Sequence, residues 1–213
     1  NPPSTPFFPA AHYEREGFAI GLQSTDLAGD CEGPECWFEH QIAVWNEILH
    51  LFHDDPDFLG IDSSVAPLFT GNSSFIYHAA RIRGSFSDAC TSDFFVQISK
   101  FIKEHNPKPV GLCGLMFPCL EDFVLAEAYE KGEYNIERNI YLSLHSGTGI
   151  DTYPIGIDED PKRIRQILNL LLAFSKKYKK PLSARFISDG KARIGDRTDF
   201  RNQYLKDVVI RKA

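Results

Sequence analysis

Strand-length apolar runs alternate with helix-length periodic segments along almost the whole chain, and that alternation restricts the fold to βα units around a mostly parallel sheet. The runs are residues 18–22, 58–62, 110–117, 150–155 and 181–187. Between them, residues 37–53 place Phe38, Ile42, Trp45, Leu49 and Phe52 on one helical stripe that Asp54-Asp55-Pro56 ends. Residues 75–83 read as a second helix, and Thr91, Ser92 or Asp93 can cap a third running through Phe94, Phe95, Ile98, Phe101 and Ile102. Residues 120–131 and 136–145 are helical, with Gly132 and Gly147 as stops, and Asp160 followed by Pro161 opens a helix over 162–179. The expected class is α/β, as a single domain over 1–213 that is part of a longer or processed chain, with 196–213 a polar tail along the surface.

With 213 residues, 43% of them hydrophobic, the chain can bury a core without disulfides or metal. Its net charge of −6 works against binding to nucleic acid or an anionic membrane, since such surfaces repel phosphate at long range. The longest apolar stretches, 110–120 (broken by Pro118) and 167–174, fall short of the ~18 residues a membrane span requires. The proline-rich opening, residues 1–9, lacks the basic start and apolar core of a signal peptide. Five cysteines form an odd, sparse set, which points to reduced thiols and a cytoplasmic setting. Asn72-Ser73-Ser74 satisfies the glycosylation sequon, a pattern short enough to arise by chance.

In a parallel sheet, the carboxyl ends of the strands and the loops after them share one face, where ligand sites form. Asp62 ends one strand, Glu121 and Asp122 begin a helix just after another, and Asp151 follows Gly147-Thr148-Gly149, a turn able to bring backbone N–H groups to a ligand oxygen. As a site, such acids act as general acids or bases or hold a divalent metal. As structure, Asp62 caps a turn before Ser63-Ser64, and Glu121 and Asp122 answer the helix dipole. His50 and His53 read as a solvated helix end. Cys31-x4-Cys36 with His40 approaches zinc-ligand spacing but has no fourth partner nearby, so zinc is not expected there. Cys90, Cys113 or Cys119 with His145 remains an open nucleophile pairing, and Arg185 is either a carboxylate-binding group or one half of an ion pair. No P-loop, dinucleotide, esterase or zincin signature is present.

Four segments together carry a family resemblance: residues 5–11 with 18–22; Gly60-Ile61-Asp62-Ser63-Ser64-Val65-Ala66-Pro67; 111–122, with Met116-Phe117-Pro118 and Glu121-Asp122; and 147–155 followed by 180–185. They resemble the domain-of-unknown-function-711 family. The resemblance implies an α/β barrel similar to that of pyruvate formate-lyase, with this chain as its C-terminal half, an interior site and oligomerisation. Family members often carry Cys-Gly-Thr-Gly where this chain has Ser146-Gly147-Thr148-Gly149. No Arg-Val-x-Gly-Tyr-like segment lies near the end, so glycyl-radical chemistry has no support.

These readings converge on an enzyme for a small polar metabolite, a hydrolase, lyase or isomerase. Asp62, Asp122 and Asp151 are its catalytic candidates, and Gly147, Thr148, Gly149 and Arg185 its substrate-binding candidates. A divalent metal is the one cofactor considered, without assigned ligands. The alternative is a structural or assembly subunit of the same lineage. In either case the expected macromolecular partner is a second copy or a companion chain completing the barrel.

Overall fold

The computed structural model describes residues 15–213, so the proline-rich lead and the segment 5–11 lie outside the described residues. In chain order the elements are β1 (Phe18–Gly21), α1 (Pro34–Phe52), β2 (Phe58–Asp62), α2 (Phe75–Arg83), α3 (Phe86–Cys90), α4 (Phe94–Glu104), α5 (Phe123–Lys131), α6 (Ile136–His145), β3 (Gly149–Pro154), α7 (Pro161–Tyr178) and β4 (Ser183–Ile187). The α/β class is as expected. The chain divides into two compact units, one containing the chain up to Ala66 with His78–Leu115, the other Pro67–Tyr77 with Met116–Ala213. Each unit holds one two-stranded parallel sheet, β1 on β2 and β3 on β4, and no closed barrel exists among the described residues.

In the first unit, α1 buries Trp37, Gln41, Trp45 and Ile48. This face is rotated from the expected stripe, which leaves Phe38, Ile42, Leu49 and Phe52 at its half-buried margin. Against α1 packs α4, whose Phe94, Phe95, Ile98, Phe101 and Ile102 are buried at the spacing the sequence shows. Phe101 stacks on Phe38 with ring centroids 3.9 Å apart and lies 5.5 Å from Trp45.

The run 110–117 does not form a strand. In this unit its pairing is limited, among the described residues, to isolated parallel bridges, Ile61 to Pro109 just before the run and Val65 to Leu115 within it, because three of its amides are diverted to side chains. Leu112 and Cys113 N–H donate to the Asp62 carboxylate and Gly114 N–H to Ser64 Oγ, while Cys113 sits at φ +45°, outside the extended region that regular strand pairing requires.

In the second unit, α5 starts at Phe123 rather than residue 120. Glu121 and Asp122 N–H both turn back to Pro118 O, and Asp122 caps the helix through Val124 and Leu125 N–H. Gly132 ends α5 in the left-handed conformation, φ +80°. α6 is anchored to β3 by Asn139, whose side-chain amide donates to Gly149 O at 3.1 Å. Asp160 caps α7 through Lys162 N–H, with Pro161 in the first turn. α7 buries only Ile167 and Leu171, leaving Leu168, Leu170 and Leu172 exposed. Residues 196–213 do not lie along the surface as an extended polar tail. They fold back with Val208 and Ile210 buried, Arg211 N–H donating to Tyr129 Oη at 2.6 Å and Ala213 N–H to Glu159 at 2.9 Å.

At Gly149, φ is +132° and a Cβ would collide with the backbone carbonyl of Ser183, so only glycine permits this approach of β3 to β4. The ladder then runs Gly149 to Ser183, Ile150 to Ala184, Tyr153 to Phe186 and Pro154 to Ile187. Asp151 and Thr152 therefore stand opposite the single residue Arg185, which is a bulge in β3. Thr152, a β-branched residue at φ +40°, takes up the extra length.

Candidate functional site

The bulge re-aims Asp151. Its carbonyl accepts Cys119 N–H at 3.0 Å, and Thr152 Oγ1 accepts Leu120 N–H at 3.3 Å, so two consecutive amides of the neighbouring segment hold it in place. Arg185 Nε donates to Asp151 Oδ1 at 2.6 Å, its terminal nitrogen pairs with the same oxygen, and that nitrogen also reaches Glu121 Oε1 at 3.0 Å. One guanidinium thus serves two carboxyl groups. Side-chain exposures of 29% for Arg185, 22% for Glu121 and 12% for Asp151 leave the group half-buried but reachable from solvent.

Burial raises the proton affinity of both acids above the ordinary carboxyl range, and Arg185 pulls each part of the way back. Asp151 adds a smaller upward push on Glu121. The arrangement can store and release a proton closer to neutrality than an exposed carboxyl does.

Asp122 is in the same unit and fully buried. It accepts Ser74 Oγ–H at 2.7 Å and the amides of Ile76, Val124 and Leu125 at 3.1 to 3.3 Å. Burial outweighs these donors, so its pKa rises to about 6. Cys119, also buried, is pushed well above the usual thiol range by burial and then by Asp122 and Asp151. Gly147 does not offer a free amide to an anion. Its N–H donates to Leu142 O at 2.7 Å in the last turn of α6, and Thr148 O accepts Ser183 N–H. His145 lies beside Ser146, with Nδ1 2.8 Å from its hydroxyl, and burial followed by the Lys180 charge lowers its pKa.

Asp62 is in the first unit. Its carboxylate accepts Ser64 N–H at 2.9 Å, Ser64 Oγ–H at 2.6 Å, Cys113 N–H at 3.2 Å and Leu112 N–H at 3.3 Å. It ties the end of β2 to the extended segment beside it. His50 and His53 are a solvated helix end, where His53 pairs with the exposed Asp54 at 2.9 Å. An open groove of about 450 Å³ between α1 and α4, lined by Glu35, Phe38, Gln97, Lys100, Phe101, Glu104 and His105, contains none of the catalytic or substrate-binding candidates named from sequence.

The cysteines depart from the all-thiol reading. Cys31 and Cys36 form a disulfide, while Cys90, Cys113 and Cys119 are buried and outside any disulfide. No helix among the described residues is long and apolar enough to cross a membrane.

Short parallel strand pairs flanked by helices, with an acidic group on the bulge of one of them, define a mixed α/β protein with a carboxylate-rich site. The chain belongs to the Uncharacterised ACR (DUF711) family, which matches residues 53–202. It is similar to a UPF0210 protein of Pyrobaculum arsenaticum (strain DSM 13514 / JCM 11321 / PZ6), 30% identical over 100 residues that make up 47% of this chain. The match spans 22% of that relative's length. No solved structure matches the chain.

Proposed function

We propose that Glu121, Arg185 and Asp151 form the acid/base centre of an enzyme acting on a small polar metabolite, as a hydrolase, lyase or isomerase. The observation that carries this reading is the sharing of Arg185 by two carboxyl groups whose proton affinity burial has raised, at a bulge held by Cys119 and Leu120. With both acids ionised the trio has one negative charge in excess, so a proton taken from substrate has a place to go. A divalent cation would compete with Arg185 for the same oxygens. Asp62 and Asp122 each accept four donors, so both act in this reading as anchors that hold segments together.

The (half-)barrel similar to that of pyruvate formate-lyase belongs to the same proposal. Its support is that both strand pairs are parallel and that each is extended by a single parallel bridge, Ile61 to Pro109 in one unit and Pro118 to Asp151 in the other. A second copy or a companion chain is the proposed cover for the exposed leucines of α7 and for β4, which is only half-buried along its length.

The test is a thermal-shift panel of small hydroxy-, keto- and amino-acids, repeated on Glu121→Gln and Arg185→Gln. A compound that raises the melting temperature of the parent but of neither variant supports the reading, and it then becomes the substrate lead for turnover assays. A panel in which every shift survives both substitutions overturns it.

A further inference from the structure

We propose that Asp30, Cys31, Cys36 and His40 form a zinc site that opens when the Cys31–Cys36 disulfide is reduced. One ligand atom from each of the four residues lies within 4.8 Å of the others, so small side-chain adjustments, with the two sulfurs parting on reduction, bring them to the spacing of about 3.3–3.8 Å that tetrahedral zinc requires. Sequence spacing alone lacked a fourth partner. The fold supplies it in Asp30, adjacent to Cys31, because the loop before α1 turns back on the helix.

The scaffold is rigid where the ligands sit. Cys36 and His40 are four residues apart in α1, one turn on the same face. The loop that carries Asp30 and Cys31 follows a 3-10 turn, Ser24–Ala28, held to α1 by Trp37 Nε1–H donating to Ser24 O at 2.8 Å. Arg81 of α2 reaches the carbonyl of Ala28 in the same turn. His40 Nδ1 is 3.7 Å from Cys31 Sγ and 2.9 Å from Leu27 O, so the ring already faces the sulfur, and the metal would take the place of the Leu27 contact or of its proton. Cys31 is wholly buried and Asp30 exposed, which gives the site a sheltered sulfur side and an entry path.

The local field favours a cation. Asp26, Asp30, Glu32, Glu35 and Glu39 cluster around these ligands in sequence and outnumber the one cation described beside them, Arg81 on the Ala28 carbonyl. Two thiolates, an imidazole and a carboxylate match zinc in softness and number better than calcium or magnesium, which take hard oxygens.

The chemistry balances with a dithiol as reductant. The dithiol gives two electrons and two protons to the Cys31–Cys36 bond, closing to its own cyclic disulfide and leaving two thiols. Zinc then displaces both thiol protons to solvent and forms two Zn–S bonds. Oxidation by a disulfide reverses the sequence and expels the ion.

The full chain is reduced with a dithiol, desalted without oxygen and titrated with zinc, and with cobalt(II) as a spectroscopic stand-in, beside an unreduced sample. The reduced chain is expected to bind about one metal ion with a thiolate-to-cobalt absorption band, and the oxidised chain none. Cys31→Ser with Cys36→Ser should abolish binding. His40→Gln and Asp30→Asn leave both sulfurs in place and should each weaken binding roughly tenfold or more, since even outer partners of a metal contribute about 10- to 100-fold. Absence of binding by the reduced chain, or equal binding by the oxidised one, overturns the proposal. Should the double serine variant fail to fold, unchanged affinity in both His40→Gln and Asp30→Asn overturns it equally.

Discussion

Arg185 lies across the β3–β4 ladder from Asp151, its Nε 2.6 Å from Oδ1, at the one place where β3 has two residues to the single residue of β4. Removing the guanidinium leaves Asp151 and Glu121 half-buried with no cation between them. Arg185→Gln is expected to lower stability by about 1–3 kcal/mol at pH 7. The deficit should shrink toward pH 5, because the variant's carboxyls then take up protons and cease to repel. Urea melts of parent and variant at the two pH values read this directly.

Asp122 has a signed pH dependence. Its folded pKa of about 6 exceeds the ordinary 3.8, so between these values the folded chain holds a proton that the unfolded chain has released. Its contribution is fully present below the lower value and is lost as pH rises through the upper one, on the order of 3 kcal/mol in total. Asp122→Asn should flatten stability against pH between about 4 and 6. Denaturant midpoints across that window measure the slope.

Asp62→Ala should destabilise the chain by about 2–4 kcal/mol, since it strands the buried amides of Ser64 and Cys113 and the half-buried amide of Leu112 together with the Ser64 hydroxyl. Asp62→Asn, which keeps an acceptor oxygen, should cost roughly half as much. The melting temperatures of the two variants make the comparison.

Cys119 should resist iodoacetamide in the folded chain. It is fully buried and its thiol is held protonated, whereas alkylation requires exposed thiolate. Mass mapping of modified cysteines with and without denaturant should place Cys119 in the denatured set alone. Modification in the folded state would return it to the nucleophile candidates.

The exposed leucines of α7 predict self-association. Leu168→Ser with Leu172→Ser should bring the mass in light scattering down to that of one 24.1 kDa chain from a multiple of it in the parent. A parent already at the single-chain mass would remove the second copy as the cover for this face.

Helices were the most legible part of the fold because their signals are local. The bounds of α2 and α6 and the Asp160–Pro161 start of α7 follow from spacing and caps within a few residues of the element. Local pattern misled where a distant side chain intervened. The run 110–117 has the composition of a buried strand, yet Asp62, some fifty residues earlier, claims its amides. The strand over 150–155 is legible, but its bulge at Asp151 and Thr152 is not, because a bulge leaves no mark in apolar periodicity and Thr152 at positive φ is not a residue that announces one. The short α3, capped by Ser85, had no apolar repeat long enough to detect. Arg185 stands out in the sequence, but its choice between substrate and ion pair depends on residues 34 and 64 positions away. Asp30 is illegible for the same kind of reason, since nothing in Cys31-x4-Cys36 says which neighbour the loop brings to the sulfurs.

The contact of Gly149 with the backbone of Ser183 sits two residues upstream of the Asp151–Arg185 pair on both strands. It acts as a locating pin. The two chains are brought together where no side chain intervenes, and counting from that point puts acid and base in phase before the bulge shifts the count. An added methyl at 149 would touch neither charged group, yet it would misalign both, so the pairing of Asp151 with Arg185 rests on a residue that has no side chain.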